Sequence, residues 1–137
     1  MAKDRYHDVV RRALEKEGWT ITHDPYFIQV GSVKMRIDLG AERVIAAEKD
    51  GKRIAVEIKT FVETSAISVF HEASGQYDHY LMALEDIEPD RILYLAVPKD
   101  TFETFFQEPF VQKVIKRKNI LLIVYHIQNE EIVAWIK

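Results

Sequence analysis

The stretch ERVIAAEKDGKRIAVEIKT, residues 42–60, decides the fold. Its centre, Asp50-Gly51, is a strong signal for a two-residue type I′ hairpin turn, and apolar residues flank it on both sides. The pattern therefore predicts two antiparallel strands, over 42–49 and 52–60. A two-residue turn pairs Lys49 with Lys52, which fixes the partner of every other residue along the two strands.

The second of these strands carries charge where an apolar strand normally has none. Strand alternation puts Glu57 and Lys59 on one face. The turn sets Glu42 opposite Lys59, and directly opposed residues have Cβ atoms roughly 4.5–5.5 Å apart. Asp38, at the end of the preceding predicted strand, reaches the same place if the chain bends at Gly40. We expect this acidic and basic cluster to be half-exposed.

Two interpretations of the cluster remain open on spacing alone. Carboxylates that share one face hold Mg²⁺ through a few oxygens and leave positions for a phosphate. A nearby lysine then stabilises the charge that grows on the phosphorus oxygens during phosphodiester cleavage. In the alternative, Glu42 and Lys59 form a structural cross-strand ion pair, and Asp38 lies in a turn.

Helix and strand patterns continue on both sides of the hairpin. The other predicted elements are a first helix over 4–18, a strand over 33–39, a long helix over 68–88 capped by Ser68, a strand over 92–97, a helix with Asp100 and Glu103 as its capping box, a helix from Pro109, and strands over 120–125 and 132–136. The order α-β-β-β-α-β-α-β-β predicts an α/β fold, a mixed β-sheet flanked by helices.

The bulk composition limits the class of protein. The 137 residues fit a single domain, 1–137, and 47% hydrophobic with 30% charged residues is typical of a globular protein. Without cysteine there is no disulfide framework, thiolate zinc site or cysteine nucleophile. No apolar run approaches the roughly 18 residues of a membrane span, so we expect no membrane and a cytoplasmic location. A net charge of −3 is unusual for tight duplex DNA binding, which would need local patches, metal ions or a partner.

The strand motif resembles the PD-(D/E)xK nuclease superfamily. Asp38 or Glu42, followed by Glu57-Ile58-Lys59, matches its acidic and lysine positions, although Ile37 replaces the motif's proline. The resemblance implies a restriction-endonuclease-like fold with an α-β-β-β-α-β core. It also implies that Glu57, with Asp38 or Glu42, binds Mg²⁺ or Mn²⁺ and that Lys59 acts at the phosphate.

Two further features resemble the RecB-type branch of that superfamily. Gln76 and Tyr80 match its Q-x-x-x-Y motif, in which Gln76 would position Lys59 or contact a phosphate. The alternative is that Tyr80 is a core residue and Gln76 is solvated. His7 stands where that branch carries a metal-binding histidine, and the alternative is a partly buried helix residue.

The whole chain resembles one family more closely. GWTITHDP (18–25), IDLGAE (37–42), LYLAVP (93–98) and TFF (104–106) look like XisH, the controlling factors for excision of a DNA element in heterocyst-forming cyanobacteria. The resemblance implies DNA, a site-specific recombinase and an XisI-like companion protein as partners. Two functions follow: a metal-dependent DNA endonuclease-like protein in excision control, or a catalytically silent nuclease-fold module that binds the recombinase or the companion.

Two surface features complete the sequence-based expectations. The one basic cluster, in 113–118, either complements a helix C-terminus or contacts DNA. We expect strands 120–125 and 132–136 to form an open edge of the sheet, where a second copy of the chain could pair. A symmetric homo-oligomer would also supply the surface that a small acidic domain lacks for holding DNA.

Overall fold

The computed structural model describes residues 2–35, 44–62 and 65–137. Within these ranges the elements, in chain order, are α1 (Ala2–Lys16), β1 (Thr20–His23), β2 (Gln29–Val30), β3 (Val33–Lys34), β4 (Val44–Lys49), β5 (Lys52–Ile58), α2 (Ala66–Ile87), β6 (Arg91–Pro98), α3 (Lys99–Glu103), a 3-10 helix (Phe105–Gln107), α4 (Pro109–Lys118), β7 (Leu122–His126) and β8 (Glu131–Ile136). The mixed α/β class predicted from the sequence is therefore confirmed. No helix in the described ranges is long and apolar enough to cross a membrane.

Six of the described strands form one mixed sheet in the order β1-β4-β5-β6-β7-β8. The pairs β5–β6 and β6–β7 are parallel, and the pairs β1–β4, β4–β5 and β7–β8 are antiparallel. Strands β2 and β3 form a separate hairpin. Because β5, β6 and β7 run in the same direction, their carboxyl ends meet at one edge of the sheet.

The predicted hairpin register is confirmed. Lys49 pairs with Lys52 and Val44 pairs with Glu57. Asp50 and Gly51 have φ angles of 51° and 79°, the positive values that both central residues of a type I′ turn require. The turn therefore determines which β4 residue lies opposite Glu57.

Helices cover both faces of the sheet. The face that includes Ala55 and Leu95 packs against α2 and α4, and the face that includes Ile54 and Val56 packs against α1. The Tyr77 hydroxyl of α2 donates to the Leu93 carbonyl at 2.9 Å and accepts from the Leu121 amide at 3.2 Å. Each helix layer is thus held by apolar packing, and α2 is also hydrogen-bonded to the sheet.

Glu88, at the end of α2, joins the helix to the sheet through charge. Its carboxylate accepts from Arg91 Nε at 2.5 Å, from Arg53 at 2.8 Å and from the Tyr26 hydroxyl. Burial alone would raise the pKa of Glu88, but the hydrogen bonds from Arg91 and Tyr26 outweigh it and lower the pKa to about 2. Glu88 therefore stays ionised and holds the buried Arg91 in place.

Three local expectations differ from the structure. Ser65, not Ser68, caps α2, because its extended backbone lets its hydroxyl accept from the Ser68 amide at 3.3 Å. The Asp100 capping box is wrong, since α3 begins directly after Pro98 and Asp100 lies inside its first turn. Strand β7 is not an edge, because β8 folds back beside it; among the described strands, β8 and β1 lie at the edges of the sheet.

Candidate functional site

Glu57 and Lys59 lie on the α2 side of the sheet, at the carboxyl end of β5. Ala55, two residues before Glu57, belongs to the core beneath α2. The Lys59 ammonium lies 3.3 Å from Glu72 Oε1 of α2. Glu57 lies directly opposite Val44, and Val44 belongs to the core beneath α2, so Glu57 is on the α2 side as well. The expectation that both charged residues share one face is therefore confirmed.

The expected half-exposed setting of the pair is wrong. Glu57 and Lys59 are each only 2% exposed. Helix α2 covers this face with Phe70, Ala73 and Tyr77, and strand alternation alone does not show how closely a helix packs. The Glu72 side chain is 49% exposed, so the ion pair with Lys59 lies at the margin of the core.

The first acid of the motif lies outside the described residues. Asp38 and Glu42 both fall in 36–43, as does most of the strand predicted over 33–39. The first described residue after 36–43 is Val44, which begins β4 and lies directly opposite Glu57. The choice between Asp38 and Glu42 therefore stays open.

The two residues of the predicted helix motif lie on α2 in different surroundings. Tyr80 is 5% exposed and packs in the core together with Phe70 and Tyr77. Gln76 is partly exposed, one turn after Glu72. Among the described residues, the hydrogen-bond partner of Lys59 on this helix is Glu72 and not Gln76.

His7 is engaged by acidic residues near its own helix. Its Nε2 lies 2.8 Å from both carboxylate oxygens of Asp24, and its Nδ1 lies 3.3 Å from Asp8. Arg11 also donates to Asp24, at 2.7 Å. Helix α1 packs on the face opposite to that of Ala55, so the structure does not place His7 on the helix layer that covers Glu57.

The described ranges contain no group of three or more histidine, aspartate or glutamate side chains that could hold a metal ion. Glu57 would need a second acid from 36–43 to form the expected ion site. Glu57 on β5 and Lys59 directly after its end nevertheless provide one metal-binding group and one phosphate-binding group.

Sequence analysis missed Glu72 as a site residue. The signal was present, because Glu72 stands four residues before Gln76, and residues four apart share one helix face. A face that brings Gln76 towards Lys59 brings Glu72 there as well.

Comparisons with known proteins cover nearly the whole chain. The family model described as XisH protein matches residues 1–133. A solved fdxN element excision controlling factor protein from Anabaena variabilis is 47% identical, with a TM-score of 0.90 over 98% of this chain and 99% of that chain. A solved XisH family protein from Nostoc punctiforme is 45% identical, with a TM-score of 0.91 over 98% of this chain and 100% of that chain. No curated protein matches the sequence.

Proposed function

Since the chain belongs to the XisH family, we propose that it takes part in controlling the site-specific excision of a DNA element, through a metal-dependent nuclease-type site. The excision-control part of this proposal is supported by the Anabaena variabilis relative, which is named as an fdxN element excision controlling factor. The 47% identity extends over 98% of this chain, so the proposal concerns the whole domain. DNA, a recombinase and an XisI-like companion protein are its proposed partners.

The burial of two charges on β5 carries the nuclease part of the proposal. Glu57 and Lys59 are each 2% exposed, on an interior strand of the sheet. Removing an ionised side chain from water costs several kcal/mol, and an apolar residue of similar size would pack there without that penalty. Buried charges on a strand between apolar neighbours are better explained by chemistry than by stability, but the closure of this face by α2 counts against cleavage, because DNA needs access to Glu57 and Lys59.

The proposed roles follow the strand motif. Glu57, with Asp38 or Glu42, would hold Mg²⁺ or Mn²⁺. The sequence resemblance adds His7 as a further ligand, but in the structure its ring contacts Asp24, and α1 packs on the other face of the sheet. Such an ion offsets negative charge on a phosphodiester. Lys59 would contact the phosphate, while Gln76 and Tyr80 support it from α2. This assignment also treats the sheet, with α1 and α2 on opposite faces, as a restriction-endonuclease-like core.

One observation favours a second candidate, a catalytically silent nuclease-fold module that binds the recombinase or the companion protein. The Lys59 ammonium is paired with Glu72, and its side chain is only 3% exposed. In this candidate, the motif serves as a structural ion pair, and the function lies in docking. Cleavage requires that Lys59 exchange Glu72 for a phosphate, whereas docking leaves the pair intact.

Calorimetric titration with Mn²⁺ separates the two candidates. The nuclease site predicts Mn²⁺ binding that is lost in Glu57→Gln, which keeps the shape of the side chain but removes its charge. Glu85→Gln is the matched control, because Glu85 is an exposed acid on α2. Absence of Mn²⁺ binding in the wild-type protein, or equal binding in Glu57→Gln, would favour the silent module.

A further inference from the structure

A cleft of about 400 Å³ opens at the amino end of β5, the end opposite to Lys59. It lies on the α1 side of the sheet, because Ile54 and Tyr94 in its wall belong to the core beneath α1. Its position separates it from Glu57 and Lys59 by the length of a strand and by the sheet itself.

Aromatic rings form one wall of the cleft. The rings of Trp19 and Trp135 are in tilted contact, with centroids 5.8 Å apart and planes 30° from parallel, and Tyr94 and Trp135 meet edge to face at 5.1 Å. Trp135 Nε1 donates to Glu17 at 3.0 Å, which fixes the orientation of the indole. Both tryptophans are only partly buried and both line the cleft, so part of their aromatic surface is accessible from it.

Lysines form the rim. Lys49, Lys52 and Lys137 line the cleft, and Lys49 and Lys52 are direct partners in the hairpin register. Like charges directly opposite each other destabilise a hairpin. In the described part of the chain none of the three lysines has an ion-pair partner within 4.0 Å. Two acids also line the cleft, Asp50 in the turn and Glu17, whose carboxylate accepts from Trp135, so the lysine side chains exceed the acidic ones by one. An anionic ligand would relieve this repulsion.

We propose that this cleft binds single-stranded DNA, with bases against the tryptophan surface and phosphates at Lys49, Lys52 and Lys137. Aromatic side chains stack on unpaired bases of any sequence, and lysines follow the backbone, which is the usual design of a single-strand site. Bases in a duplex are already stacked on each other and cannot lie flat on an indole. The inference rests on DNA being the target of the proposed function, but not on cleavage.

Tryptophan fluorescence reports on this cleft directly, because the only two tryptophans in the sequence both line it. We expect a short oligothymidylate to quench the intrinsic tryptophan fluorescence in a buffer without divalent metal. Without metal, the fluorescence titration does not depend on the Glu57 site. Its outcome is therefore independent of whether the protein cleaves DNA. A duplex of the same length and inorganic polyphosphate should quench weakly or not at all.

Charge removal locates the binding site. The double variant Lys49→Ala with Lys52→Ala should bind oligothymidylate about tenfold more weakly, and its salt dependence should fall by roughly 0.7 in slope for each lysine removed. The matched control is Arg5→Ala with Lys34→Ala, which removes two exposed cations that lie outside the cleft. The control should bind and quench as the wild type does.

The proposal would be overturned by an absence of quenching by oligothymidylate or by equal quenching by the duplex or by polyphosphate. An equal loss of affinity in the control variant would overturn it as well. Circular dichroism of the double variant should match that of the wild type, because the substitutions remove a repulsion at an exposed turn. Unchanged affinity in this folded double variant would likewise place the DNA elsewhere.

Discussion

The ammonium of Lys59 lies 3.3 Å from the carboxylate of Glu72, although the Lys59 side chain is 3% exposed and that of Glu72 is 49% exposed. A buried cation is therefore held by an acid that is half in water. Glu72 occupies the position at the ammonium that a phosphate would take in the nuclease proposal. The pair thus affects both stability and the proposed function, and the two effects can be tested separately.

We predict that substitution of Glu72 destabilises the protein and that substitution of Lys59 does not. Glu72→Gln leaves the buried Lys59 charge without its carboxylate and should lower the free energy of unfolding by about 1–2 kcal/mol. Lys59→Met replaces the buried charge with an apolar chain of similar length, so it should be neutral or stabilising. Urea denaturation measures both. A larger loss for Lys59→Met than for Glu72→Gln would contradict this description of the pair.

The Glu88 cluster predicts a pH-dependent stability. The pKa of Glu88 is lowered from 4.5 to about 2 in the folded chain, so its contribution is complete above pH 4.5 and is lost as the pH falls towards 2. Glu88→Gln should destabilise the protein by about 1.5–3 kcal/mol near neutral pH, because charged hydrogen bonds to Arg91 and Arg53 are weakened.

Denaturation of wild type and Glu88→Gln across a pH series measures this contribution. Their difference in unfolding free energy should shrink between about pH 4.5 and pH 2. Glu85→Gln, on the exposed side of the same helix, should show no such trend. A difference that stays constant over this window would mean that Glu88 titrates normally in the folded protein.

The Tyr77 hydroxyl predicts a further loss of stability. Tyr77→Phe leaves the Leu93 carbonyl and the Leu121 amide without their side-chain partner and should cost about 1–3 kcal/mol. Tyr94→Phe is the matched control, since Tyr94 is also buried but its hydroxyl has no hydrogen bond among the described residues. Equal effects of the two substitutions in urea denaturation would show that Tyr77 acts through packing alone.

The hairpin was predictable because one dipeptide fixes it. Asp50-Gly51 selects the turn, the turn selects the register, and the register places Val44 opposite Glu57. Strand alternation likewise gave the shared face of Glu57 and Lys59. The burial of both residues was not predictable, because it depends on how closely α2 packs over the strand. Strand β1, Thr20–His23, was missed as well, since only one of its four residues is even partly buried and it shows no alternating pattern.

Association of the chain with itself remains a prediction. Among the strands that the structure describes, β8 lies at one edge of the six-stranded sheet, and its Val133 is 43% exposed. Light scattering should therefore give a multiple of the 16.0 kDa monomer mass. Val133→Lys should shift the protein towards monomer, whereas Val33→Lys, at an exposed valine outside the six-stranded sheet, should not. A 16.0 kDa particle at micromolar concentration would contradict the prediction.

Cleavage of supercoiled DNA by the purified protein, with and without the proposed XisI-like companion protein, tests the central claim most directly. With Mg²⁺ or Mn²⁺, we predict nicked or linear product from the wild type, none without metal, and none from Glu57→Gln or Lys59→Met, provided that both variants remain folded. Glu85→Gln should cleave as the wild type does. Absence of cleavage by the wild type under these conditions, or cleavage that persists undiminished in Glu57→Gln, would contradict a nuclease site at Glu57 and Lys59.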